Sequence, residues 1–79
     1  MDISVCTASM SSQTYALKAQ RALSEMSIPC RVVRLDGAKS KHGCAYGIEF
    51  SCGQLENVKR VLQSARIKPR HLYRGDVEI

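Results

Sequence analysis

No run of about 18 apolar residues occurs in this chain, so a membrane-spanning helix is not expected. Met1-Asp2-Ile3 leads straight into alternating residues, with no basic segment and apolar stretch of the secretory kind, and the cytoplasm is the expected location. None of the four cysteines forms a Cys-x-x-Cys. The one close pair of metal-ligand types is His42 with Cys44, which offers a structural zinc too little, and neither a metal nor another cofactor is expected. There is no repeat and no low-complexity tract. The glycine-aromatic signature of an RNA-reading sheet is missing, and no acid is spaced to complete a Cys-His-acid relay with His42 or His71.

What remains is small and basic. The chain has 79 residues, 44% hydrophobic and 24% charged, which suits one domain over 1–79 and is too short for two cores. Such a chain buries only about 60% of the surface its unfolded form exposes, so its margin of stability is thin. Twelve Lys and Arg against seven Asp and Glu give a charge of +5 and a pI near 9.3, a field that favours anionic partners. With no secretory leader and an ordinary apolar content, the cysteines are expected to be reduced thiols rather than disulfide staples.

The apolar pattern predicts six elements. Asp2 to Thr7 alternates, with Ile3 and Val5 on one face and Ser4 and Cys6 on the other, as in a half-buried strand. Ser11, Ser12 and Thr14 offer N-caps for a helix over 12–27 whose Ala16, Ala19, Leu23 and Met26 form one stripe. Ile28-Pro29 ends it, and Cys30 to Leu35 is the second strand. Asp36 to Gly43 reads as a polar connection. In the third strand Tyr46, Ile48 and Phe50 share the covered face while Gly47 and Glu49 share the other. Ser51 caps a helix over 53–65 with Leu55, Val58, Leu62 and Ala65 inward, and His71 to Arg74 is the last strand. This order predicts an α+β, ferredoxin-like β-α-β-β-α-β sandwich: a four-stranded antiparallel sheet with two helices on one face. Val5, Leu23, Ile48, Phe50, Val58 and Leu62 are the expected core.

Cys44 is the residue best placed for chemistry. It stands at a loop-to-strand junction, in phase with Tyr46 and Ile48, aimed at the start of the first helix. The free N–H groups there, together with Lys39, Lys41 and His42, favour a thiolate. Gly43 gives the backbone freedom to cradle an anion such as a persulfide or selenide. An inert, partly buried cysteine beside a lysine-rich turn fits the same residues. Cys52, at the first turn of the second helix, is the second candidate thiol. Eight residues of strand separate it from Cys44 by roughly 26 Å, at about 3.3 Å per residue. That exceeds the reach of a disulfide, which needs Cα atoms within about 7 Å. Cys6 is expected at the Cys44 end but on the opposite sheet face, Cys30 at the far end, and both read as small apolar strand residues.

Thr14-Tyr15-Ala16-Leu17-Lys18-Ala19, the Leu23 helix end, Ile28-Pro29, Cys44-Ala45-Tyr46-Gly47-Ile48-Glu49-Phe50 and the Leu55, Val58, Leu62, Ile67 series resemble, over nearly the whole chain, the selenium/sulfur carrier protein-like family. Ala45 stands where the family pattern has glycine, and Cys52 has no counterpart in it. The resemblance implies a non-enzymatic carrier. Cys44 would hold sulfur or selenium as a persulfide or perselenide, supported by Gly43, His42 and Lys41, between donor and acceptor proteins. An interaction or regulatory module is the alternative. It would use an open sheet face bearing Ser4, Cys6, Gly47 and Glu49 for homodimerisation or to bind a partner enzyme. A basic RNA-associated domain ranks third, and nucleic acid is not the expected partner because Lys and Arg are spread over every segment.

Overall fold

The computed structural model describes residues 4–36, 45–75 and 77–79. The described elements are β1 (Val5–Met10), α1 (Gln13–Glu25), β2 (Cys30–Arg34), β3 (Tyr46–Ser51), a 3-10 turn (Cys52–Gln54), α2 (Leu55–Ser64), β4 (His71–Arg74) and β5 (Val77–Glu78). They form a small α+β domain with two helices and a five-stranded sheet in the order β2-β3-β1-β4-β5. Every neighbouring pair is antiparallel. The fifth strand was not expected. Gly75, at φ +60°, turns the chain after Arg74 so that Arg74 pairs with Val77. Only glycine takes that conformation without steric cost.

The first strand is the main correction. It begins three residues later than the alternation of Ile3 and Val5 suggested, and its covered face is the other one. Cys6, Ala8 and Met10 are fully buried, whereas Val5 is 39% exposed. The longer alternation Cys6, Ala8, Met10 outweighs the shorter one because it lies opposite Phe50, Ile48 and Tyr46 across the β1–β3 ladder. Residues directly opposite in such a ladder share a face. Cys6 therefore belongs to the helix side of the sheet, not to an open face.

The helical stripes fold largely as their spacing implies. Ala16, Ala19 and Leu23 of α1 pack with Val58 and Leu62 of α2 and with Ile48 and Phe50 of β3. Each stripe fails at its last member: Met26 is 63% exposed and Ala65 is also exposed. The reason lies in how the helices stop. Ser27 and Arg66 both adopt positive φ, 59° and 60°. The following Ile28 N–H donates to the Leu23 carbonyl at 2.9 Å, and the Ile67 N–H to the Leu62 carbonyl at 2.8 Å. Both ends are Schellman closures, in which the residue two places beyond the cap folds back onto the last turn. Ile28 and Ile67 thus enter the core, in place of Met26 and Ala65.

The face turned away from the helices is not open throughout. Thr7, Ser9, Leu35 and Tyr73 are buried, and so is Gly47. Ser9 is satisfied by its pairing with β4: the His71 N–H donates to Ser9 Oγ at 3.0 Å, and Ser9 Oγ donates to the His71 carbonyl at 3.4 Å. Glu49 keeps its expected place on that face and pairs with Arg31 of β2 at 2.8 Å.

Candidate functional site

Lys39, Lys41, His42, Gly43 and Cys44 lie outside the described residues. The point at which the chain re-enters the fold is described. Ala45 is exposed, its carbonyl accepts from the Leu35 N–H at 2.8 Å, and the next residue, Tyr46, lies opposite Met10. Met10 ends β1, and α1 starts three residues later behind its cap, Ser12, whose Oγ accepts from the Tyr15 N–H at 3.3 Å. Ala45 therefore joins the sheet at the end where α1 begins.

That end of the domain is cationic. A cleft of about 450 Å³ is lined by Ser11, Tyr15, Arg66, Lys68, Pro69 and Arg70. The Arg70 N–H donates to the Ser9 carbonyl at 2.8 Å, which ties the α2–β4 connection to the end of β1. Arg66, Lys68 and Arg70 form no ion pair among the described residues. The first turn of α1 carries no acid, so nothing there offsets the helix dipole. Lys18 Nζ lies 5.5 Å from the centre of the Tyr15 ring. The chemistry such a place favours is the holding of negative charge.

The other cysteines gather at the opposite end. Cys6 and Cys52 form a disulfide across 46 positions, with Cα atoms 5.0 Å apart. This overturns the expectation of reduced thiols at both positions, and of Cys52 as a second free nucleophile. It also relocates Cys6, which pairs opposite Phe50, one residue from the end of β3 where Cys52 follows. In a strand over Asp2 to Thr7 Cys6 is the last residue but one, whereas in β1 it is the second. Because Cys52 is bonded to Cys6, it is not the partner of Cys44. The missed signal was the run Cys6, Ala8, Met10, whose apolar alternation puts the Cys6 side chain on the face from which α2 departs.

Cys30 is the free cysteine among the described residues. It too lies opposite Phe50, from the other side, so two strand spacings, about 10 Å, separate it from Cys6. That distance is too great for a disulfide. Partial burial against the core pushes its thiol above the usual 9.0, which makes it a weak nucleophile at neutral pH. No group of three or more His, Cys, Asp or Glu among the described residues could hold a metal. No helix there is long and apolar enough to cross a membrane.

A family model described as "Putative Se/S carrier protein-like" matches residues 6–74, from the first buried residue of β1 to the end of β4. The chain belongs to this family. No curated protein and no solved structure matches it significantly. The Se/S carrier-like match includes both helices, four of the five strands and Cys44, and it leaves β5 outside.

Proposed function

We propose that this Se/S carrier-like protein carries a sulfur or selenium atom on Cys44 and passes it to an acceptor protein. The family match over residues 6–74 is the observation that carries the reading. The strand order β2-β3-β1-β4 supports reading the fold as a ferredoxin-like sandwich, with β5 as an edge strand added to it, within one domain over 1–79. The reading includes a cytoplasmic location and donor and acceptor proteins as partners, with no reaction catalysed on a small substrate.

The chemistry needs a thiolate with access. In loading, the Cys44 thiolate attacks the terminal sulfur of a donor persulfide. The new S–S bond forms as the donor leaves as a thiolate, with no net oxidation. In delivery, an acceptor nucleophile attacks the terminal sulfur and Cys44 departs as a thiolate. Both steps are easier where negative charge is stabilised. Lys39, Lys41 and His42 beside Cys44, Gly43 before it, and the cleft of Arg66, Lys68 and Arg70 at the sheet end where Ala45 enters all support that.

Intact mass spectrometry after incubation with a cysteine desulfurase and cysteine tests the reading. The expected product carries one additional sulfur on the Cys44 peptide, is lost in Cys44→Ser and persists in Cys30→Ser. Equal loading of Cys44→Ser and wild type would remove Cys44 from the role.

A further inference from the structure

We propose that the Cys6–Cys52 pair is a thiol–disulfide exchange site, attacked at Cys52 by a thiol or dithiol partner, with Cys6 as the internal resolving thiol. The inference is independent of sulfur transfer at Cys44, since it concerns the other end of the sheet.

The two sulfurs stand in unequal surroundings. Cys6 is fully buried within the cluster that includes Ala8, Ile48 and Phe50. Cys52 is only half-buried, at the outer edge of that cluster. The residue after it is Gly53, exposed, where even an added Cβ would meet nothing nearer than Ser51 Oγ at 3.6 Å. An incoming thiolate can therefore reach Cys52 and not Cys6. Exchange begins at whichever sulfur is accessible to in-line attack.

The electrons balance without an added oxidant. A partner thiolate forms a bond to Cys52 Sγ, the Cys6–Cys52 bond breaks, and its electron pair leaves on Cys6 Sγ, which takes a proton from water. The result is a mixed disulfide between Cys52 and the partner. A second partner thiol attacks the partner's sulfur and releases Cys52 as a thiolate, completing a two-electron reduction. Alternatively, Cys6 attacks Cys52 and expels the first thiol. The same steps in reverse let the dithiol reduce a partner's disulfide.

Re-closure requires that the two thiols stay together when the bond is open. The backbone holds them. The Cys52 N–H donates to the Ser4 carbonyl at 3.0 Å and the Gly75 N–H to the Val5 carbonyl at 3.0 Å. Val5 also pairs opposite Ser51, and Ser51 Oγ accepts from the Gly53 N–H at 3.3 Å. None of these contacts involves sulfur, so the pair remains preorganised after reduction, and intramolecular closure competes well with partner thiols.

The test uses the full chain, air-oxidised and then exposed to limiting glutathione, with acid quenching and peptide mapping of mixed disulfides. Glutathione is expected on Cys52 in preference to Cys6. In single variants, treated with oxidised glutathione so that the remaining thiolate displaces one glutathione thiolate, Cys6→Ser should be labelled at Cys52 about ten-fold or more faster than Cys52→Ser is at Cys6, given the difference in access. The wild-type map keeps the test decisive if either variant fails to fold. Equal labelling of the two sulfurs, labelling mainly at Cys6, a bond that opens only after unfolding, or no Cys6–Cys52 linkage in the oxidised protein would each overturn the proposal.

Discussion

Gly47 approaches Ala8 so closely that a Cβ on Gly47 would stand 2.5 Å from the Ala8 carbonyl oxygen. Both positions are buried, and the atom in the way is backbone of the central strand β1, which cannot rotate aside as a side chain would. Gly47→Ala should therefore lower stability by about 2–3 kcal/mol, the upper range for overpacking. Gly53→Ala, where the nearest atom is 3.6 Å away, should stay within about 0.5 kcal/mol of wild type or gain slightly from helix propensity. Denaturant midpoints of the two variants check the contrast, and equal effects would contradict the close approach.

Ser27 and Arg66 occupy the left-handed region although neither is glycine. A side chain there costs roughly 1–2 kcal/mol, and glycine removes most of that cost at a helix end. Ser27→Gly and Arg66→Gly should each stabilise the protein by about 1 kcal/mol, whereas Ser27→Ala should be neutral or worse. Arg66→Gly also removes a cation from the cleft, so its thermal unfolding is best compared at high salt as well as low.

The residues that speak most plainly in the sequence are those whose burial one face decides. Tyr46, Ile48 and Phe50 alternate on the covered side of β3, Val58 and Leu62 recur at helical spacing, and all lie where that periodicity sets them. Met26 and Ala65 continue the same periods and yet face solvent, because a left-handed residue at each helix end turns the chain before the stripe is complete. Two patterns overlap in the first strand. Val5 belongs to a short alternation and Cys6 to a longer one, and only pairing with Phe50 across the sheet decides between them. The Cys6–Cys52 bond follows from that register and from no spacing along the chain. Val77 and Glu78 add a strand too short to carry a periodic signal.

Burial raises the thiol of Cys30, which gives a pH dependence with a definite sign. The fold favours the neutral thiol over the thiolate. Its contribution to stability is therefore complete below the unfolded value, near the usual 9.0, and is lost as pH rises from there through the higher folded value. Cys30→Ala removes this dependence, so the gap between wild-type and variant stability curves should change above pH 9 and be flat below it. Alkylation should agree: Cys30 in the folded protein should react more slowly than a free cysteine at pH 8 and catch up in denaturant. A rate at pH 8 equal to that of the free thiol would contradict the burial.

The Cys6–Cys52 bond closes a loop across 46 positions, and its loss should be visible in stability without abolishing the fold. Chain-entropy arguments give about 4 kcal/mol for a loop of this length, with about 2–4 kcal/mol typical of measured bonds. The whole domain has on the order of 5–15 kcal/mol to lose. The backbone bonds from Cys52 to Ser4 and from Gly75 to Val5 survive reduction, so the reduced protein should remain folded at room temperature. Its melting temperature should fall by on the order of 15 °C. The denaturant slope should rise, because an uncrosslinked unfolded chain exposes more surface. Cys30→Ser should show the same response to reductant as wild type, while Cys6→Ser/Cys52→Ser should show none. Urea unfolding with and without reductant on these three proteins gives the result, and a response that persists in the double variant would assign the stabilising bond to other cysteines.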